Sequence, residues 1–289
     1  MAGHASRARR AERQPGRGVC RPTQRDAWLL EALGKMRFLE TRQIARLAFG
    51  GSRWAANKRL RKLLDGGLVR VWVRDLARDN VYGLTRAGAG QLAERSDGEA
   101  TWTVPRGLDG NLDHLLAINE VRISLALGLA QGSGEIRYWR SDWELRALSR
   151  GRIVPDALFA LGWAGNGHSQ TFALEVDNAT RSPRRFQGKL VKYVALRVRG
   201  RALYGVQDFL LLVVGRDERW VERYRQALAH LRLGLSVWFS TLPLLGREGA
   251  LGPIWITADG EERHSLRSLA SLPYGKEGTA EERQGIAEC

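Results

Sequence analysis

Two short strand-like runs, each with acidic residues at a defined place, constrain the fold of this chain most strongly. Residues 153–157 read Ile-Val-Pro-Asp-Ala, and residues 172–177 read Phe-Ala-Leu-Glu-Val-Asp. Successive side chains along a strand point to opposite faces, so Glu175 and Asp177 are expected on the same face. If the two runs pair, Asp156 joins them, and three carboxylates converge on one place.

The alternation also predicts that Leu174 and Val176 point into a core. Crowded carboxylates repel each other unless a proton or a hard cation lies between them. Nucleases hold Mg²⁺ beside phosphate in this way. The sequence therefore predicts a metal site formed by Asp156, Glu175 and Asp177, or the remnant of such a site.

The charge of the chain indicates a polyanionic partner. Lysine and arginine number 46 against 31 acidic residues, which gives 289 residues a net charge of +15. Nucleic acid is the first expectation, because no apolar run approaches the roughly 20 residues that a membrane-spanning helix needs. The two cysteines, Cys20 and Cys289, form no zinc spacing or disulfide framework. We therefore expect a cytoplasmic protein associated with the nucleoid or a plasmid.

Shifts in composition divide the sequence into five segments. The first 25 residues contain seven arginines and one acidic residue, which predicts a disordered basic arm. The breaks before and after the apolar regions are rich in Gly, Pro, Ser and Asp. The predicted segments are an arm at 1–22, a first domain at 23–95, a linker at 96–110, a second domain at 111–258 and a polar tail at 259–289.

The first domain has the element order of a winged helix-turn-helix. Thr23, Thr41, Ser52 and Thr85 are expected to cap four helices, and Gly66-Gly67 ends the third. Strands are predicted at residues 68–74 and 80–84, around a basic loop. The polar face of the third helix and this loop are predicted to bind double-stranded DNA through Arg53, Trp54, Asn57, Lys58, Arg61, Lys62, Arg74 and Arg78.

The second domain is predicted to have the order αβββαβ. A helix at 111–131 precedes a strand at 135–139, which is expected to continue at 142–145. Later strands are predicted at 153–161, 171–177, 206–214, 237–239 and 253–257, and helices at 183–199 and 217–231. The expected fold class is thus α/β (α+β), with a winged helix followed by a restriction-endonuclease-like domain.

This order, with Pro155-Asp156 and Glu175-Val176-Asp177, resembles the PD-(D/E)xK nuclease superfamily. The winged helix followed by this core, with Glu-Val-Asp-Asn-Ala-Thr and a later Lys-x-x-Tyr-type helix, resembles the replication-relaxation family of plasmids and mobile elements. The resemblance covers roughly residues 23–245. It implies a role in plasmid replication or DNA relaxation and, if the nuclease-like site is active, Mg²⁺ or Mn²⁺ as cofactor.

One departure from the superfamily pattern concerns its lysine. Nucleases of this type place a lysine two residues after the acid, where this chain has Asp177. Either Asp177 is an additional metal ligand, or a lysine reaches in from the following helix. At 100° per residue, Lys189 lies at the edge of that helix's buried stripe and Lys192 faces solvent. The resemblance implies a further metal ligand at Glu120.

Two hypotheses follow from these patterns. The favoured one is a DNA-binding protein whose nuclease-like core is degenerate and clamps DNA or recruits replication or mobilisation proteins. The alternative is a metal-dependent endonuclease or nickase in which Asp156, Glu175, Asp177 and Glu120 serve catalysis with Lys189. A third reading pairs the carboxylates with nearby arginines as inert salt bridges. The sequence leaves homodimer formation open.

Overall fold

The computed structural model describes residues 22–75, 77–96, 102–108, 110–132, 134–149, 153–163, 169–178, 183–228, 235–258 and 260–271. Most of the predicted arm, part of the predicted linker and the end of the predicted tail lie outside the described residues. The chain divides into two compact units, residues 1–123 and 124–289. Helices and two sheets make up a mixed fold consistent with the α+β class.

The first unit combines helices with a small sheet. In chain order its elements are α1 (Gln24–Met36), β1 (Leu39–Glu40), α2 (Thr41–Ala48), α3 (Arg53–Asp65), β2 (Val69–Trp72), β3 (Val81–Leu84), α4 (Arg86–Arg95) and the first part of α5 (Leu112–Ala130). The three strands pair antiparallel in the order β1-β3-β2. Both predicted strands are present but shorter, and β1 was not predicted.

Local polar contacts set most of the helix starts. Thr23, Ser52 and Thr85 cap α1, α3 and α4 as predicted, each through its side-chain oxygen. The prediction that Thr41 caps α2 is wrong, because α2 begins at Thr41 and Glu40 is its N-cap. The Thr41 amide instead donates to the Asn80 carbonyl over 3.1 Å. This bond connects the start of α2 to the strand-connecting loop, which joins β2 to β3.

Close packing in this unit depends on a glycine of α4. The helix begins directly after β3, and its first turn lies against the backbone that leads into β2. A Cβ atom on Gly88 would lie 2.3 Å from the Leu68 carbonyl oxygen, which is far inside van der Waals contact. Only glycine therefore allows α4 to approach at this position without a shift of backbone.

The second unit is built on a five-stranded sheet. Its elements are the remainder of α5, β4 (Gly134–Ser141), α6 (Asp142–Leu148), β5 (Ala157–Trp163), β6 (Ser169–Asp177), α7 (Pro183–Val198), β7 (Leu210–Gly215), α8 (Glu218–Leu228), β8 (Val237–Thr241), α9 (Leu242–Glu248) and α10 (Leu266–Ser271). The strand order is β4-β5-β6-β7-β8. The first three strands pair antiparallel and the last three parallel.

The core on one side of this sheet is aromatic and aliphatic. Phe186 of α7 packs edge-on against Trp220 and Tyr224 of α8, with ring centroids 5.6 and 4.8 Å apart. These rings share a buried cluster with Leu190 of α7 and Val213 of β7. Helices α7 and α8 therefore cover the sheet where β6 and β7 run side by side.

Several predicted elements of this unit differ in the structure. Residues 142–145 belong to helix α6 and do not continue a strand, because the Ser141 amide donates to the Glu144 carboxylate in a capping box. Strand β7 begins later than predicted, since residues 203–206 form a tight turn with positive φ at Tyr204 and Gly205. Helix α9 was not predicted.

The carboxyl-terminal part of the unit also differs. Residues 253–257 form only isolated bridges, in which Ile256 pairs with Phe239 and Trp255 with His264. Helix α10 lies in the segment predicted as a polar tail, and its Leu266 is fully buried. No helix in the described part of the chain combines the length and the apolar character that crossing a membrane requires.

Candidate functional site

The structure brings Asp156 and Glu175 together at the start of β5. The Asp156 amide donates to the Leu174 carbonyl over 2.9 Å. The Asp156 carboxylate oxygen Oδ2 accepts from the Val176 amide over 2.8 Å. Asp156 is therefore bonded to the residues immediately before and after Glu175, and it is almost completely buried.

Both oxygens of the Glu175 carboxylate are occupied by side chains of α7. Lys189 donates from Nζ to Oε2 over 2.6 Å, and Tyr193 donates from its hydroxyl to Oε1 over 2.6 Å. The two donors lie one helical turn apart, so they meet the same carboxylate from the same face of the helix. Glu175 is only 1% exposed, whereas the Lys189 side chain is 19% exposed.

Burial dominates the electrostatics of this carboxylate. It raises the pKa of Glu175 from 4.5 to about 7, and the negative charge of Asp156 acts in the same direction. The Lys189 ammonium and the bonds from Lys189 and Tyr193 oppose the shift. Burial and the neighbouring Glu175 also raise the pKa of Tyr193 well above its ordinary value, so this phenol acts as a hydrogen-bond donor.

Asp177 lies on the same face of β6 but has a different partner. The Tyr224 hydroxyl of α8 donates to Asp177 Oδ2 over a long 3.4 Å. Burial, with the Asp177 charge beside it, raises the pKa of Tyr224 to about 12. The other oxygen, Oδ1, is buried and has no hydrogen-bond partner among the described residues. Asp177 is thus a buried acid with few hydrogen bonds to offset the cost of its burial.

The structure has the predicted facing of β6. Glu175 and Asp177 share one face, and that face is covered by α7 and α8. Leu174 and Val176 are buried on the other face. Both faces of the strand are therefore enclosed, which is typical of a strand paired with a parallel neighbour.

Two tyrosines of the site were not predicted as site residues. Tyr193 lies in the buried stripe of α7 and Tyr224 lies on α8. A phenol in an otherwise apolar stripe is a usable signal, because its buried hydroxyl needs a polar partner. The identity of that partner depends on how the helices pack on the sheet.

The arrangement does not match a ready-made metal site. Among the residues that the structure describes, no group of three or more His, Cys, Asp or Glu side chains could hold a metal ion. A cation bound at Glu175 would have to displace the Lys189 ammonium from Oε2. In this arrangement a divalent cation would compete with Lys189 for Glu175, and the metal predicted at Asp156, Glu175 and Asp177 stays a prediction.

Glu120, the fourth predicted acid, has its contacts in the first unit. It lies on the part of α5 that belongs to that unit, where its carboxylate forms an ion pair with Arg46. The Gln43 amide also donates to Glu120 Oε2 over 3.4 Å. These contacts give Glu120 a structural role in joining α5 to α2.

The predicted DNA-binding residues of α3 lie on its exposed side. Trp54 is 73% exposed, and the Lys58 ammonium lies 5.0 Å from the centre of its ring system. Arg53 forms an ion pair with Asp79 of the strand-connecting loop. Arg61 pairs with Asp65 one turn later over 3.2 Å. The other exposed members of this face are Asn57 and Lys62.

The two loop arginines differ in their surroundings. Arg74 is only 10% exposed, and its guanidinium binds Glu40 over 2.9 Å and Asp113 over 2.5 Å. Arg78 is 50% exposed and also pairs with Asp113, over 2.8 Å. Arg74 therefore fastens the loop to β1 and α5, whereas Arg78 remains accessible.

A sequence model of the replication-relaxation family matches residues 30–208, which is more than half of the chain. The matched region includes α3, the Asp156 and Glu175 pair and Lys189. No curated protein and no solved structure matches the chain. Because the family match covers most of both the helical unit and the carboxylate site, the chain belongs to the replication-relaxation family.

Proposed function

We propose that this protein binds double-stranded DNA through a winged helix-turn-helix and acts in the replication or relaxation of a plasmid or mobile element. Membership of the replication-relaxation family suggests the biological role. The element order α1-β1-α2-α3-β2-β3 and the antiparallel sheet support the winged-helix interpretation. Helix α3 is the recognition helix in this proposal, and the loop between β2 and β3 is the wing.

The exposed face of α3 carries the proposal. Its side chains are the types that contact base edges and phosphates, and few acids interrupt them. The buried residues Ala56, Leu60 and Leu63 hold the opposite side of the helix in the core. The face is therefore rigidly presented, with its cationic side chains directed outward.

In this proposal the wing contacts DNA through one of the two arginines that the sequence predicts there. Arg78 is accessible and extends the basic surface, so it is the proposed wing contact with the DNA backbone. Arg74 is buried in ion pairs with Glu40 and Asp113, which favours a structural role over a phosphate contact. The net charge of +15 supports a polyanionic partner for the chain as a whole.

For the second unit we propose a restriction-endonuclease-like domain whose nuclease site is degenerate. The order of β4, β5, β6, α7 and β7 and the positions of Asp156 and Glu175 support the likeness. The absence of a lysine two residues after Glu175, where this chain has Asp177, supports the loss of metal-dependent chemistry. Such a domain would clamp DNA or recruit replication or mobilisation proteins in the cytoplasm, at the plasmid or nucleoid.

DNA retardation with substituted α3 tests the proposal. Replacing Arg53, Asn57 and Arg61 by alanine should weaken binding at least tenfold, with an unchanged thermal unfolding midpoint because all three are exposed. Lys35→Ala, on the exposed end of α1, is the matched control. Wild-type affinity should fall steeply with salt, since each phosphate contact releases counterions. Equal affinity of the triple variant and wild type would refute the assignment of α3.

The contact between Lys189 and Glu175 also favours a second candidate, a metal-dependent endonuclease with a displaced lysine. Lys189 reaches the carboxylates from α7, where it could stabilise negative charge on a phosphate. The test is cleavage of supercoiled plasmid with Mg²⁺ or Mn²⁺. Nicking that is lost in both Asp156→Asn and Glu175→Gln would establish the enzyme, and retardation without nicking would support the degenerate site.

A further inference from the structure

The most exposed large apolar side chain of the described residues is Trp54, in the first turn of α3. Nine residues at 100° each place the buried Leu63 on the side of the helix opposite Trp54. Arg61 and Lys58 lie within about 40° of Trp54 around the helix axis. The indole therefore stands at the centre of the proposed DNA-binding face.

An indole at this position suits one kind of nucleic-acid contact better than another. The edges of paired bases in the major groove are recognised by Arg, Lys, Asn and Gln, which offer matched donors and acceptors. Indole has a single N–H donor and a large flat apolar surface. Such a surface stacks on the face of a base, and that face is accessible only when the base is unpaired.

The neighbouring side chains support stacking. The Lys58 ammonium lies over one face of the Trp54 ring, 5.0 Å from its centre, so a base would stack on the opposite face with this cation close by. The helix begins after a Gly50-Gly51 turn, where a Cβ atom at either glycine would meet nothing within 4 Å. The turn before α3 is therefore uncrowded, and Trp54 itself is 73% exposed.

We propose that Trp54 stacks on an unpaired base, so that the preferred ligand is duplex DNA containing an unpaired nucleotide. This inference rests on the proposed DNA binding by α3 and adds the class of DNA. Arg53, Asn57 and Arg61 hold the adjoining duplex, while Trp54 holds the base that has left the stack. Lys58 neutralises the phosphate beside that base.

The test compares two oligonucleotide duplexes of the same sequence, one intact and one with a single bulged base, by fluorescence anisotropy at one salt concentration. The variants of the full chain are Trp54→Ala and Trp54→Phe, with Trp28→Ala as the control on α1. Wild type should bind the bulged duplex roughly 5- to 100-fold more tightly than the intact duplex. Trp54→Ala should lose this preference, because its affinity for the bulged duplex should fall much further than its affinity for the intact duplex, and Trp54→Phe should keep part of it.

Each other outcome overturns a defined claim. Equal wild-type affinity for the two duplexes, or a preference that survives in Trp54→Ala, overturns the stacking proposal and leaves DNA binding intact. An equal loss of affinity for both duplexes in Trp54→Ala indicates a groove contact and also overturns it. Failure of wild type to bind either duplex overturns the proposed function itself. Unchanged thermal unfolding of Trp54→Ala verifies that the fold is retained.

Discussion

Lys189 and Glu175 form a hydrogen-bonded ion pair, with 2.6 Å between Nζ and Oε2, at the point where helix α7 covers strand β6. The pair is the polar centre of an otherwise apolar interface. It offsets part of the cost of burying Glu175 beside Asp156, because the Lys189 ammonium lowers the pKa of Glu175. Stability and any chemistry at this site depend on the same contact.

Above about pH 7, where Glu175 is ionised, Lys189→Met should destabilise the protein by about 3 kcal/mol, because it leaves the Glu175 charge buried without its cation. Lys192→Met, an exposed lysine on the same helix, is the matched control and should change the free energy of unfolding by less than about 0.5 kcal/mol. Chemical denaturation measures both values. Equal stabilities of the two variants would show that the ion pair contributes nothing.

The raised pKa of Glu175 predicts a specific pH dependence of stability. Between pH 4.5 and about 7 the folded state keeps a proton on Glu175 that the unfolded state has released. Stability from this group is therefore complete below about pH 4.5, falls as the pH rises and is lost above about pH 7. The full change corresponds to roughly 3 kcal/mol.

Glu175→Gln should remove this fall, so its free energy of unfolding should change less between pH 4.5 and 7 than that of wild type. Glu218→Gln, an exposed glutamate at the start of α8, should retain the wild-type slope. Urea denaturation at several pH values provides the comparison. Parallel curves for wild type and Glu175→Gln would contradict a raised pKa at this position.

The two loop arginines should separate stability from DNA binding. Arg74→Ala should cost about 2 kcal/mol of stability, since the buried Glu40 loses its bond from Arg74 and keeps the one from Arg42. Arg78→Ala should leave the stability nearly unchanged but reduce the salt dependence of DNA affinity by about one phosphate contact. Thermal unfolding and DNA titrations at three salt concentrations measure the two effects. If Arg74→Ala reduced the salt dependence of DNA affinity and Arg78→Ala lowered the stability, the DNA contact would lie at Arg74.

Two glycines of α4 provide a matched pair for the packing of the first unit. Gly88→Ala should destabilise by about 1 to 3 kcal/mol, because its Cβ would collide with the Leu68 carbonyl oxygen. Gly90→Ala, on the same helix, meets nothing within 4 Å and should stabilise by up to about 1 kcal/mol. Differential scanning calorimetry of both variants checks the signs. Stabilisation by both would mean that α4 can move away from β2.

The features predicted correctly from the sequence are those with a local cause. The helix starts at Ser52 and Thr85 could be predicted, because a capping side chain bonds to an amide only a few residues away. Strand β1 was not predicted. Its two residues are too few to show an alternating pattern, and the strand is defined by its pairing with β3. Helix α6 was mistaken for a strand because its apolar residues are too few to show a helical period.

The same distinction applies to the candidate site. Helical periodicity placed Lys189 at the edge of the buried stripe of α7, and the side chain does reach Glu175. Its catalytic role stays a prediction. The partner of Asp177 could not be predicted, because Tyr224 arrives from α8, and only the packing of that helix on the sheet determines which acid its hydroxyl meets.

The hydrogen bonds of Asp156 bear on how related chains should be compared. Its carboxylate accepts from the Val176 amide, and its own amide donates to the Leu174 carbonyl, so it joins two strands whether or not any phosphate is ever cleaved. Selection for folding alone would preserve an aspartate at this position in an inactive lineage. Retention of Asp156 is therefore no marker of nuclease activity among relatives, and the residue that faces Glu175 from α7 is the more informative position.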